Sequence, residues 1–434
     1  MVTNLETMAQ NAKLASYTLA SLDTLTKNKA LDAVANKIEE NKLAILQENA
    51  KDLEEAKKLL DSGEINNSTY NRLKLDHNKM RDMVQGIRDV KRLEDPVNKK
   101  LWAMGLDTGL DLYRVSCPIG VIGVIFEARP DVIPQICALA IKSANAVLLK
   151  GGKEAYNTNV ILTRLIKEAL DELGAFPQDT INILFSRDEV AQMLTMDKYI
   201  DLIIPRGGNA LVQYVKDNTK IPVMGHADGI CHIYIDEAAD VKKATDICID
   251  AKTQYPSACN AVETILIHES LLENYLPQLV IEFEKAGVTV KGCEKCKEFV
   301  PHLELATKED WATEYGDKII SIKAVKDLFD AIAHINVYGS GHTDCIITED
   351  KQAIDVFMNL VDSAGVFANV STRFADGFRY GLGAEVGIST SKTHARGPVG
   401  LEGLVIYKYK MYGSGQTVAP YADGKKTFIH QRII

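Results

Sequence analysis

The sequence predicts an α/β protein: two doubly wound α/β units, with a small β element added to them. Three observations carry that expectation. Short apolar, β-branched runs alternate with amphipathic helical stretches from Val121 onward. The alternation begins again near Ile230. Close to the C-terminus, "GLVIYKYKMYGSGQ" reads as a strand with a Lys/Tyr alternation open to solvent, able to pair with a neighbouring subunit as easily as with its own sheet. At 434 residues the chain is too long for one ordinary core.

The first hundred residues read as helices, since "NKALDAVANKIEENKLAILQENAKDLEEAKK" alternates apolar and charged positions at helical period without Gly or Pro. After "EDPVNKK" the character changes. Gly turns and β-rich runs in "KLWAMGLDTGLDLYRVSCPIGVIGVIFEARP" predict a hairpin and then a buried strand. A strand at Val121–Phe126 is followed by a helix from about Val132, with Asp131 placed to cap it. The strands "AVLLK", "INILF", "DLIIP" and "IPVMG" then alternate with the helices "NTNVILTRLIKEALDELG", "RDEVAQMLTM" and "NALVQYVKDN". The second alternation runs through "CHIYID", "AADVKKATDICIDAK", "ETILIH", "DCIITED" and "VFANVS". Ligands of such parallel sheets are expected in a crevice at the carboxyl ends of the strands.

Composition narrows the function. With 46% hydrophobic and 25% charged residues the chain is of the soluble globular type. A formal charge of -9 argues against nucleic acid as a partner. No stretch approaches the length of a membrane helix, and the N-terminus has no apolar core of a signal peptide. Eight scattered cysteines then indicate reduced thiols in a cytoplasmic protein. Cys293 and Cys296 form a lone CxxC with His302 nearby, but no second pair follows, so no metal site is expected.

Cys259 in "YPSACNAVET" differs from the other cysteines because it lies at a connection, after a helix and before the strand "ETILIH". Connections are where nucleophiles are presented; from spacing alone, a small hydrophobe in a crowded core explains it equally well. No dinucleotide fingerprint or P-loop is present. Two Gly pairs follow strands instead. Gly207 and Gly208 precede a helix, whose free amides suit an anion, and Lys150 and Lys153 flank the other pair.

Together "CPIGVIGVIFEARPDVIPQICALAIKSANAVLLKGGKEA", "YPSACNAVET", "VKDLFDAIAHINVYGSGHTDCI" and "ARGPVGLEGLVIYKYKMYGSGQ" resemble the gamma-glutamyl phosphate reductase family, the glutamate-5-semialdehyde dehydrogenases of the aldehyde dehydrogenase superfamily. The resemblance covers essentially the whole chain. It implies an NADP-binding domain (1–97 and 116–228), a catalytic domain (229–402) and an oligomerisation element (98–115 and 403–434). The implied reaction is NADPH-dependent reduction of L-glutamyl 5-phosphate to glutamate 5-semialdehyde with release of phosphate, the second step of proline synthesis. Cys259 then corresponds to the nucleophile, and Lys150 to the lysine that touches the adenosine ribose. Lys153 stands where NAD-using relatives often have Glu, which favours NADP. Glu314 matches the residue that holds the nicotinamide ribose.

Two departures from the wider superfamily are informative. "GHADGI" puts His226 where hydrolytic relatives carry a general-base Glu, which fits phosphate as acyl acceptor. The usual oxyanion-hole Asn is missing, with Arg129 of "EARPD" nearby in register and suited to a phosphoryl group or an oxyanion. For the amino and carboxylate ends of the substrate, His342, Asp344 and Arg373 are the candidates. The resemblance further implies a homo-oligomer and leaves room for transient contact with glutamate 5-kinase.

Overall fold

The computed structural model describes residues 5–225 and 228–433. Five helices lead the chain, from Leu5–Leu19 to His77–Arg92. Thr24–Glu40 buries Ala30, Leu31, Val34, Ala35 and Ile38, the i, i+3/i+4 stripe that its pattern requires, and Asp23 caps it by accepting from the Thr26 amide. The buried carboxylate of Asp52, on the next helix, accepts from the amides and side chains of Asn157 and Thr158 at the start of Tyr156–Leu173. An acidic group there satisfies amides that have no partner within their own helix.

Strands β1 (Lys100–Asp107) and β2 (Leu110–Pro118) form the expected hairpin. Next come β3 (Val121–Phe126), β4 (Ala146–Lys150), β5 (Ile181–Leu184) and β6 (Leu202–Arg206), a parallel sheet in the order β5-β4-β3-β6. All of β3 is buried, as befits a strand that lies inside a parallel sheet.

The second sheet holds β7 (Cys231–Ile235), β8 (Val262–His268), β9 (Thr289–Gly292), β10 (Glu304–Leu305), β11 (Ile319–Val325), β12 (Thr343–Ile347) and β13 (Gly365–Ala368). All its pairings are parallel, in the order β10-β9-β11-β8-β7-β12-β13. A short ribbon of β14 (Ile388–Ser389) and β15 (Gly397–Pro398) follows. Finally β16 (Val405–Tyr412) pairs antiparallel with β2, and β17 (Gln431–Arg432) with β1.

Two local expectations need correction. "IPVMG" makes one bridge, Val223 to Ile203, and no strand; Pro222 has no N–H to extend the ladder. Asp131 precedes its helix with backbone angles already helical (φ −60, ψ −20) and makes no side-chain capping bond. A capping side chain reaches the first amides from extended backbone.

The apolar interior divides. One cluster joins the N-terminal helices, the first sheet and the returning segment with Ala384, Val386, Ala395, Val399 and Leu401. Separate clusters lie on the second sheet. The returning segment, expected from the sequence to belong with the catalytic unit, therefore contributes its apolar side chains to the first core. Among the described residues no helix is long and apolar enough to cross a membrane.

Candidate active site

Cys259 stands in the turn between Val241–Thr253 and the amino end of β8. The turn is tight, with Ala258 N–H donating to Tyr255 O and Ala261 N–H to Ala258 O. It is also tethered: Asn260 donates to Ala375 O at 2.8 Å, and Thr372 donates to Asn260 O at 2.7 Å. Gly229 lies against the backbone of Cys259 so closely that an added Cβ would sit 2.2 Å from its carbonyl oxygen. The Gly229 amide in turn donates to Glu314 Oε2 at 2.9 Å. Glycine is what permits this stack.

Burial first, then the carboxylates of Glu314 and Glu385, push the Cys259 thiol up to about 12 against the opposing charges of Arg206 and Arg373. The sulfur therefore sits among two carboxylates and two guanidinium groups, all close enough to act on its charge. Arg206 ends β6 and donates to Val386 O. Burial and the neighbouring Arg129 both disfavour the charge of Arg206. Arg373 is buried, and its Nε donates to Gln254 Oε1 at 2.9 Å. Burial raises the Glu385 carboxyl, which accepts from the Gly377 amide at 2.8 Å.

The sheets meet the cleft differently. Arg129, Arg206 and the Gly pairs lie beyond the carboxyl ends of the first sheet, as expected. From the second sheet the groups come from segments that precede their strands: Gly229 before β7, Cys259 before β8, Glu314 before β11. That departs from the expected rule of carboxyl ends, because here the candidate residues stand on the loops entering the strands.

The other sequence candidates divide. Lys150 ends β4, where its charge helps hold down the Glu189 carboxyl, and Lys153 is exposed at the start of the next short turn. Gly207 and Gly208 do lead into the helix Asn209–Asp217, but Glu127 has its carboxylate there, 3.3 Å from the Gly208 amide. The chain's own carboxylate takes the place expected for a cofactor anion.

His342 and Asp344 are both buried. Asp344 accepts from the backbone N–H of His232 (2.8 Å), contacts the His232 ring (3.0 Å) and accepts from Ser363. His342 lies 3.7 Å from the Cys231 sulfur, which itself donates to Cys259 O. His226 lies outside the described residues.

Sequence reasoning missed Arg206 and Glu385. A charged residue ending the apolar run "LIIPR" beside a Gly pair was a signal for Arg206. Glu385, in "GLGAEVGIST", had no periodic context to mark it.

The aldehyde dehydrogenase family model matches residues 3–297. A gamma-glutamyl phosphate reductase of Brachyspira hyodysenteriae is 57% identical over 98% of this chain and 99% of its own length. One of Methanococcoides burtonii is 50% identical over 100% of this chain and 98% of its own. The crystal structure of gamma-glutamyl phosphate reductase from Thermotoga maritima is similar with a TM-score of 0.92 and 41% identity, covering 95% of this chain and 99% of that one. An acetylating aldehyde dehydrogenase from Geobacillus thermoglucosidasius, 18% identical with a TM-score of 0.65, shares the fold. At this identity and coverage the chain belongs to the gamma-glutamyl phosphate reductases, oxidoreductases of the aldehyde dehydrogenase family that serve proline biosynthesis.

Proposed function

We propose that the protein reduces L-glutamyl 5-phosphate to L-glutamate 5-semialdehyde with NADPH, through a thioester on Cys259. The observation that carries this reading is a half-buried thiol with the guanidinium groups of Arg206 and Arg373 within electrostatic reach. The Cys259 sulfur attacks the acyl carbon, the carbon–oxygen bond to the phosphoryl group breaks, and phosphate leaves. Arg206 and Arg129 suit the departing phosphate, since guanidinium groups bind such anions in a bidentate manner. Arg373 is suited to the substrate carboxylate and Glu385 to its ammonium group. With the thiol pushed up to about 12, its proton must leave as the sulfur attacks. Glu314 and Glu385 are the carboxylates near enough to take it.

The residues present fit a phosphorylated dinucleotide at one end. Lys150 and Lys153 put two ammonium groups beside the carboxyl end of β4, and an ammonium suits a 2′-phosphate where a carboxylate would suit a free hydroxyl. At the Gly207–Gly208 turn, Glu127 must swing aside before a pyrophosphate can use the amides. When bound, NADPH would supply hydride to the acyl carbon. Glu314, held by the Gly229 amide, is placed to orient the nicotinamide end beside Cys259.

The protein acts in this reading as a homo-oligomer of cytoplasmic location, open to transient contact with glutamate 5-kinase. The free edge of β16, with Tyr409 and Met411 each 57% exposed, supports the oligomer. The test is the reverse reaction. Given glutamate semialdehyde and NADP, the enzyme should form NADPH only when phosphate is present, with arsenate able to replace it. Multiple turnovers without either anion would mean that water attacks the thioester, and the phosphate-linked reading would fall.

A further inference from the structure

Cys293 and Cys296 take no part in the chemistry at Cys259. Cys259 precedes the amino end of β8, whereas this pair follows the carboxyl end of β9, at the opposite end of the strands of the same parallel sheet. Cys293 is half-buried and opens the short helix Glu294–Phe299; Cys296 is buried one turn on. Their sulfurs are 3.5 Å apart. The Cys293 sulfur also accepts from the Ala324 amide at 3.4 Å, and the Cys296 thiol points to Ile322 O at 3.7 Å.

The contact makes the partners unequal. The contact with the Cys296 sulfur, with help from the Ala324 amide and against burial, holds Cys293 down at about 6. The same contact and burial push Cys296 up. One thiol is partly exposed and ionised near neutral pH; its neighbour is protonated and shielded. A metal is a poorer use of the pair. Among the described residues no cluster of three or more ligating side chains surrounds it, and the His302 imidazole is engaged with Glu284 at 2.8 Å.

We propose that Cys293 and Cys296 form an exchange site for low-molecular-weight disulfides, with Cys293 as the attacking sulfur and Cys296 as the resolving one. The Cys293 thiolate attacks one sulfur of the disulfide; the S–S bond breaks and one thiolate leaves, giving a mixed disulfide on Cys293. Cys296 gives up its proton, attacks the Cys293 sulfur and expels the second thiolate. The protein dithiol is oxidised by two electrons, and the small disulfide is reduced to two thiols that take up the two protons. Bond formation needs the sulfurs to close from 3.5 Å to about 2 Å, a distance that side-chain rotation within one turn can supply.

The test uses the full chain with Cys259→Ser, which removes the active-site thiol as a competing target, and oxidised glutathione as the probe. Peptide mapping should find Cys293 joined to Cys296 and protected from alkylation. Adding Cys296→Ser should trap a glutathione adduct on Cys293, and Cys293→Ser should leave Cys296 unmodified. In the reduced protein at pH 7, iodoacetamide should label Cys293 at least about tenfold faster than Cys117, whose thiol burial pushes up. Both thiols remaining free in oxidised glutathione, or the adduct forming on Cys117 instead, would overturn the proposal.

Discussion

A methyl group at Gly229 would press within 2.2 Å of the Cys259 carbonyl oxygen and 2.5 Å of its Cα, so one of the two backbones must move. Displacing a nucleophile by a fraction of its reach is costly, because the attack geometry is set before the reaction begins. Gly229→Ala should lower kcat/KM by about a hundredfold and lower the denaturation midpoint as well, because the atoms it meets are backbone. A near wild-type rate would mean that the turn carrying Cys259 yields freely. The same residue gives a pH signature. With the thiol pushed up to about 12, the thiolate fraction of the free enzyme rises about tenfold per pH unit between about 7 and 9. Alkylation of Cys259 by iodoacetamide, followed in a Cys293→Ser background, should climb through that range without a plateau. A plateau near neutrality would show that the thiol is ionised before substrate arrives. Arg206 and Glu385 escaped the sequence because their importance lies in convergence. They are 179 residues apart in the chain and meet only through packing.

At the scale of elements, β16 is the edge of its sheet, hydrogen-bonded to β2 on one side and exposed along most of its length. A strand left in that state offers unpaired backbone groups and apolar side chains together, which isolated proteins avoid. If the proposed homo-oligomer forms through this edge, Tyr409→Pro combined with Met411→Asp should lower the molar mass read by light scattering, with the far-ultraviolet dichroism retained. An unchanged mass would place the subunit interface elsewhere. Most of these elements were legible because their cause is local: the 2-residue and 3.6-residue periods are written in the order of apolar residues. "IPVMG" was apolar enough for a strand, but whether a strand pairs depends on a neighbour with free donors. Asp131 had the right side chain for a cap and the wrong backbone. Neither fact is contained in residue identity.

For the whole molecule, the apolar cluster of the first sheet is separate from those on the second, and the alternation restarting near Ile230 foretold the two sheets. Their relative orientation was beyond pattern reading, which assigns residues to strands without saying which ends face each other. The observed arrangement gives Arg129 and Arg206 to one sheet and the sulfur, with Arg373, to the other. Contacts back to the second sheet from the segment that packs on the first core are largely polar: Arg396 donates to Asp362 O and Oδ1, and Lys392 pairs with the same carboxylate. Such exposed ion pairs contribute little each and weaken with salt. Enzyme activity in increasing urea should therefore fall at a lower concentration than the dichroism of either core, and moderate salt should widen the gap. Coincident curves would show instead that the sheets unfold as one unit. Activity lost first would mean that the protein can be intact, folded and inactive, because its site exists only while two slabs keep their distance.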